Sequence, residues 1–329
     1  MSAGRSARRI AAIGARLGLA AAALMMTAPL ALAVPSAPDW AFPPLGVKPP
    51  SGPARTITVP GSRVQRPEAA LHSMVAAVDW FPAAHPAPPS LVLKGEGKAW
   101  ACGYCHLPDG QGRPENAALA GLPKAYILTQ LRAFADGARR SPQTRDGASS
   151  GAAALMIQEA QAAPQGEWDA LAAYFSRRPF VSRVKVVETD VIPSVKPQVY
   201  IYVAQQGPSA PLGERLIEIP ASTEDFEARD PHASFIAYVP KGAVAAGASL
   251  ADSGGPAGQP CQACHGAGLK GALGPPLAGR SPSYILRQLL AFRAGTRANP
   301  EAAPMRVVAA NLTNAQMIDL AAYAATLRP

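Results

Sequence analysis

Cysteine is scarce: the 329-residue chain has four, Cys102, Cys105, Cys261 and Cys264. All four fall into two CxxC pairs, so none remains for a structural disulfide elsewhere. Acidic residues are also few, 22 against 31 lysines and arginines, for a formal net charge of +9. This excess does not indicate a nucleic-acid partner. Four of the arginines lie in an N-terminal leader, and the remaining 27 basic residues exceed the acids by only 5 and are scattered. Beyond residue 33 no apolar run approaches the roughly 20 residues needed to cross a bilayer, which excludes a later membrane span.

The leader, residues 1–33, carries Arg5, Arg8, Arg9 and Arg16 ahead of an apolar run that closes on Ala31, Leu32 and Ala33. Charged, apolar and small-residue segments in that order predict a secretory signal cleaved after Ala33, and hence a periplasmic protein. The alternative is an uncleaved membrane anchor, which the shortness of the run and Pro29 oppose. Arg8 and Arg9 lack the flanking residues of a twin-arginine signal. Residues 34–90 are proline-rich and predict an extended N-terminal arm laid over a domain, with a short helix or turn around PEAALHSMVAAV.

Two later stretches repeat one another. LAGLPKAYILTQLRAFADGARR (119–140) matches LAGRSPSYILRQLLAFRAGTRA (277–298), and EWDALAAYF (167–175) matches QMIDLAAYA (316–324). The spacings agree. His106 precedes Tyr126 by 20 residues and His265 precedes Tyr284 by 19, while Met156 to Tyr174 and Met305 to Tyr323 are both 18. The Tyr-to-Met intervals, 30 and 21, differ by an insertion in SPQTRDGASSG. Two copies of one unit account for these numbers.

Apolar residues recur every three or four positions in YILTQLRAF, YILRQLLAF and both LAAY segments, which predicts amphipathic helices. The expected fold class is mainly α, with units at 91–179 and 246–329, each starting on a short CxxCH helix. Met156 and Met305 hold equivalent positions in polar, loop-like surroundings. Between the units, residues 180–245 alternate or are β-branched in VSRVKVVETDVI, QVYIYVAQ, ERLIEIP and SFIAYVP, predicting a connector of three or four short strands.

Three chemistries use CxxC. A thiol oxidoreductase places it at a helix N-terminus after a strand, and neither pair here follows a β run. A zinc ribbon spaces two pairs roughly 15–20 residues apart, whereas Cys102 and Cys261 are 159 positions apart. Covalent haem attachment needs CxxC followed at once by histidine, and both pairs have it, in His106 and His265. Each thiol adds to a vinyl group on one porphyrin edge, and the imidazole then reaches the iron. A haem would also supply much of the core that so small a unit lacks. Among the four methionines after the leader, Met156 and Met305 are soft thioether candidates for the opposite axial position. Met317 aligns with Trp168 and is expected in the core, and Met74 has no counterpart.

With CGYCH and CQACH, the LAG then YI-L-QL-AF pattern, the downstream methionine and the closing LAAY helix, the chain resembles the class I cytochromes c of tandem dihaem type. The resemblance covers roughly 95–178 and 250–329. It implies two covalently bound haem c groups, one on Cys102, Cys105, His106 and Met156, the other on Cys261, Cys264, His265 and Met305, with the histidines and methionines as iron ligands. In that family a proline carbonyl near LAG accepts a hydrogen bond from the proximal imidazole. Pro275 matches this place, whereas the first unit has Ala117 there and Pro114 further upstream, which leaves the partner of His106 open. The connector and arm also depart from a compact two-domain carrier.

The resemblance further implies a periplasmic electron carrier and not an enzyme, meeting a dehydrogenase or quinol-linked donor and an oxidase or other cytochrome as redox partners. Two alternatives stand beside it. A cytochrome subunit of a dehydrogenase complex would use the arm and connector as its interface, and a dihaem peroxidase would need a histidine or glutamate over an open iron face. His72, His85 and His232 lie in the arm and connector, where surface or hydrogen-bonded roles are expected. Tyr126 and Tyr284 are expected in helix packing, and Arg139, Arg140, Arg177 and Arg178 on solvated surface.

Overall fold

A computed structural model describes residues 36–46, 55–145 and 148–329. The leader and its cleavage site, together with part of the arm, lie outside the described residues. Among the described residues no helix is long and apolar enough to cross a membrane.

The arm holds two paired short strands, β1 (Thr56–Ile57) and β2 (Arg66–Pro67), and a 3-10 helix at Glu68–His72. It also builds a small core of Val59, Leu71, Val78 and Trp80 that includes Ala228 from the connector. The indole nitrogen of Trp80 donates to the Ala228 carbonyl at 2.8 Å.

A first helical group follows: α1 (Ser90–Leu93), α2 (Cys102–His106), α3 (Lys124–Ala135), α4 (Ala152–Ala162) and α5 (Trp168–Ser176), with a short hairpin of β3 (Thr144–Arg145) and β4 (Ala148–Ser149) before α4. Helix α3 starts after Pro123 and packs on α4 and α5. Its inward face sets Ile127 beside Leu91, Leu171 and Phe175 in one cluster.

The connector has seven strands where three or four were expected: β5 (Val184–Glu188), β6 (Val191–Ile192), β7 (Val195–Gln198), β8 (Ile201–Ala204), β9 (Ala210–Pro211), β10 (Ile217–Pro220) and β11 (Phe235–Val239), with helix α6 (Thr223–Glu227) between the last two. VSRVKVVETDVI is broken at Thr189 and Asp190 into two strands. QVYIYVAQ, read as one strand, is a hairpin that reverses at Val199 and Tyr200, both at positive φ (50° and 65°). A β-branched residue in that region is unfavourable. Here the arm holds the turn in place, as Val199 N donates to the Leu45 carbonyl at 2.6 Å and Tyr200 N to that of Pro44 at 3.4 Å. The central sheet runs β10, β11, β5, with β10 and β11 antiparallel (Ile217 opposite Tyr238) and β11 and β5 parallel (Phe235 opposite Val184).

The second helical group comprises α7 (Ala243–Ser253), α8 (Cys261–His265), α9 (Pro282–Arg293), α10 (Ala303–Ala310) and α11 (Asn314–Thr326). Ser281 caps α9 by accepting from Tyr284 N at 3.2 Å, and Thr313 with Gln316 forms a reciprocal capping box on α11. Helix α7, ahead of the CxxCH helix, was not expected. It crosses α11 so closely that a Cβ on Gly247 would lie 2.0 Å from the Asp319 carbonyl oxygen. Met317 is fully buried and Trp168 nearly so, as their alignment required.

Candidate cofactor-binding site

Each CxxCH forms a single helical turn, which gathers two thiols and an imidazole on one side. The turn ends in a residue at positive φ, Leu107 (64°) or Gly266 (77°), and the chain then folds back so that Gly112 N donates to the His106 carbonyl (2.8 Å) and Gly271 N to that of His265 (2.7 Å). Within the returning loop lies the answer to the open question about His106. Its Nδ1 is 2.8 Å from the Ala117 carbonyl, and His265 Nδ1 is 2.8 Å from that of Pro275. A carbonyl only accepts, so in both rings Nδ1 carries the proton and Nε2 keeps its lone pair. Proline is dispensable because the bond uses a backbone carbonyl that any residue supplies.

Burial pushes both imidazoles below their ordinary value, against the opposing effect of the carbonyl bonds, and Arg139 adds to the depression at His106. Neutral imidazole is the form that binds a metal. Burial likewise pushes the thiol of Cys102 up to about 12 and that of Cys105 up to about 11, and raises Cys261 as well. Such thiols are not the low-pKa nucleophiles of an oxidoreductase.

One continuous cavity of about 1660 Å³ is lined by Cys102, Cys105, His106 and Met156 and also by Cys261, Cys264, His265 and Met305. It exceeds the roughly 300–1,000 Å³ of an ordinary small-molecule pocket, and its walls are mostly apolar, with Leu131, Phe134, Ile285 and Leu289 among them. Both methionines sit on helices, Met156 in α4 and Met305 in α10, and not in loops as their surroundings suggested. Ala, Leu, Met and Gln around Met156 are strong helix formers, and Pro304 at the start of α10 favours helix initiation before Met305.

Arginines cross between the two helical groups. Arg139, expected on solvated surface, is buried at 6 % exposure, and Arg297, whose place the sequence left open, at 5 %. Arg139 donates to Gln130, to the Tyr284 hydroxyl (2.8 Å) and to Gln288 (2.7 Å). Arg297 mirrors it, donating to Gln288, to the Tyr126 hydroxyl (2.7 Å) and to Gln130 (2.9 Å). Tyr126 and Tyr284 thus bond across the junction as well as packing in it. The signal was present in the repeat, where GAR (137–139) aligns with GTR (295–297). Among the described residues neither guanidinium has a carboxylate partner within ion-pair distance. Two buried cations facing only neutral groups in a cavity wall call for anions in that cavity.

Glu218 was also missed. It is buried in the cavity wall, where it accepts from the Ser281 hydroxyl (2.7 Å) and Ser283 N (3.1 Å). None of His72, His85 and His232 lines the cavity. His85 is buried against Asp79 (3.3 Å) and the Tyr174 hydroxyl (3.1 Å), and the His232 side chain is mostly exposed beside Asp230. Among the described residues the cavity is thus lined by no histidine outside the CxxCH pairs, whereas Glu218 stands in its wall.

These residues fit haem c: paired thiols and an Nε2 lone pair on one turn, an apolar cavity, and positive charge for carboxylates. Comparison with known sequences agrees. The cytochrome c family profile matches residues 244–328. The thiosulfate dehydrogenase electron acceptor of Thiomonas intermedia (strain K12) is 30% identical over 223 residues, which are 67% of this chain and 75% of that protein. Cytochrome c4 of Azotobacter vinelandii is 28% identical over 236 residues, 70% of this chain and 85% of that protein. The solved thiosulfate dehydrogenase of Marichromatium purpuratum matches 80% of this chain and 40% of its own, at 26% identity and a TM-score of 0.47. The chain belongs to the c-type cytochromes, proteins of electron transfer that hold haem c covalently.

Proposed function

We propose that the chain carries two haems and passes single electrons between redox proteins of the periplasm. The observation that carries this reading is the continuous cavity bounded at both ends by a CxxCH turn, a carbonyl-anchored imidazole and a methionine. In it Cys102, Cys105, His106 and Met156 hold one haem, and Cys261, Cys264, His265 and Met305 hold the other. Bound haem supplies iron that alternates between ferric and ferrous.

The chain's residues then set the conditions for that exchange. The Nδ1–H bonds to Ala117 and Pro275 fix each imidazole and enrich its donor nitrogen. The thioethers favour ferrous iron and raise the potentials. Arg139 and Arg297 supply the charge that haem carboxylates need, and the apolar lining keeps water from the iron. A relative is named for accepting electrons from a thiosulfate dehydrogenase, and we assign this chain the same kind of role, as acceptor from a dehydrogenase and donor to an oxidase or another cytochrome. The leader delivers it to the periplasm, and the mature chain then begins at Val34.

Haem counted per chain, with visible spectra of the reduced protein with and without carbon monoxide, tests this reading. Two haems and unchanged spectra are expected, since both irons keep strong sixth ligands. Carbon monoxide binding at one haem would overturn the methionine assignment there and favour peroxidase-type chemistry.

A further inference from the structure

The two CxxCH loops are equivalent in sequence and opposite in exposure. After the first, the loop is sealed by protein. Arg113 donates to the Phe226 carbonyl (3.2 Å) and lies over the Phe226 ring, and Arg183 donates to the Gln111 carbonyl (3.1 Å) and to that of Gly112 (2.5 Å). Arg229 covers the Tyr104 ring at 3.7 Å and donates to its carbonyl. Glu115, in this loop, is only 5 % exposed. Its counterpart after the second CxxCH, counting back from the carbonyls of Ala117 and Pro275, is Leu273, which is 90 % exposed, and among the described residues no connector side chain hydrogen-bonds to its loop. Leu273 is the most exposed large apolar side chain among the described residues, and it lines the cavity next to Gly274, whose backbone lies against the His265 ring.

We propose that the connector insulates the first haem site and that electrons enter and leave the molecule through the loop at Leu273, onto which a redox protein with an apolar centre and an acidic rim docks. The inference rests on the two-haem reading above. The charge around the loop favours such a partner: no acidic residue occurs between Asp252 and Glu301, and the one exposed cation in that span is Lys270, three residues from Leu273, whose ammonium donates to the Pro329 carbonyl at 3.3 Å. A small apolar contact edged by one sign of charge suits a weak, short-lived encounter, as electron exchange requires. The first site then exchanges electrons only through the second, across the junction held by Arg139 and Arg297.

The test uses small redox reagents on the haem-loaded full chain, with two haems per chain verified beforehand; a single haem would overturn the two-haem reading itself. Reduced protein is mixed in stopped flow at low salt with ferricyanide, a trianion, and separately with tris-phenanthroline cobalt(III), a trication. Leu273→Asp places a negative charge in the rim. Electrostatic repulsion at contact distance should slow ferricyanide by roughly three- to tenfold and speed the cobalt reagent by a similar factor, for both haems together, and 1 M salt should remove most of both effects. Glu224→Gln changes charge by one unit in the opposite sense on the exposed surface of the connector and should leave both rates within about 1.5-fold. Opposite responses to the two reagents separate a local charge effect from a folding defect. With two haems present, rates insensitive to Leu273→Asp would overturn the proposal, and so would equal sensitivity to Glu224→Gln.

Discussion

The His265 ring rests against a backbone with no side chain, and filling that gap tests how the iron ligand is held. In Gly274→Ala the added methyl carbon would lie 2.8 Å from both Cε1 and Nδ1 of His265 and 3.3 Å from Nε2. Unstrained contacts are roughly 3.5–4.0 Å, so one side must retreat by about 0.7–1 Å. The backbone is pinned, since Gly274 N donates to the Cys264 carbonyl at 2.8 Å and the Gly274 carbonyl accepts from Ala272 N at 3.1 Å. Gly274 also lacks a positive φ, so alanine brings no backbone strain of its own. The ring therefore moves and weakens its 2.8 Å bond to the Pro275 carbonyl. Overpacking costs about 1–3 kcal/mol, and the hydrogen bond is worth about 0.5–1.5 kcal/mol. Because that bond enriches the donor nitrogen and so favours ferric iron, its loss should raise the potential of the second haem. Full expression of the bond in one oxidation state is about 60 mV for one electron, so a rise of roughly 20–60 mV is expected. Spectroelectrochemical titration should show one midpoint raised and the other unmoved, with Tm lower by roughly 2–4 °C for each kcal/mol. A lower Tm with both midpoints unchanged would refute the reasoning, because the strain would then have been absorbed away from the ring.

Three further predictions concern the frame around the site. Gly247→Ala gains up to about 1 kcal/mol of helix propensity, but its methyl would meet the Asp319 carbonyl oxygen at 2.0 Å; net destabilisation of about 1–2 kcal/mol is expected, and a raised Tm would show that α7 and α11 can separate freely. Trp80→Phe strips the buried Ala228 carbonyl of its donor and should cost about 1–3 kcal/mol, read by thermal melting and by faster amide exchange around Ala228; unchanged exchange would mean the arm does not hold the connector. Burial raises the Glu218 carboxyl above its ordinary 4.5, against the opposing bonds from Ser281 and Ser283. A raised folded pKa contributes stability below 4.5 that is lost as pH rises through the folded value. The stability of the wild type relative to Glu218→Gln should therefore decline from about pH 4.5 upward, and a pH-independent difference would remove Glu218 from the buried groups that titrate.

What the sequence made legible follows from what is local. The CxxCH turns, α3 and α9, and the LAAY helices are each specified by spacing within one segment, and each appears where expected. The elements that were misplaced depend on partners far away. The hairpin at Val199 and Tyr200 is imposed by Pro44 and Leu45, more than 150 residues earlier in the chain, and no local preference would put valine at positive φ. Helix α7 needed knowledge that Gly247 lets another backbone approach. Arg139 looked solvated because its acceptors, Tyr284 and Gln288, lie in the other repeat.

The same distinction explains how two copies of one unit differ in the folded chain. Each copy keeps its imidazole bond to a carbonyl, because that bond is closed within 11 residues at His106 and 10 at His265. Each also contributes one arginine, one tyrosine and one glutamine to the junction, and the two sets satisfy one another reciprocally, as self-complementary surfaces do. Around the two CxxCH loops the copies diverge where the connector intervenes. It meets the first CxxCH loop with Phe226, Arg183 and Arg229, whereas Leu273 in the second loop is exposed. Desolvation without added charge favours ferrous iron, and Arg229, which has no carboxylate within ion-pair distance among the described residues, adds positive charge that favours it further, whereas the charge of Arg113 is balanced by its ion pair with Glu115. Burial and charge thus act in the same direction at the first site, so its potential should lie above that of the second, and electrons arriving at the exposed second site should run inward. Removing Arg229 as Arg229→Gln should then lower only the higher of the two midpoints; a fall in the lower one would reverse the order of the sites.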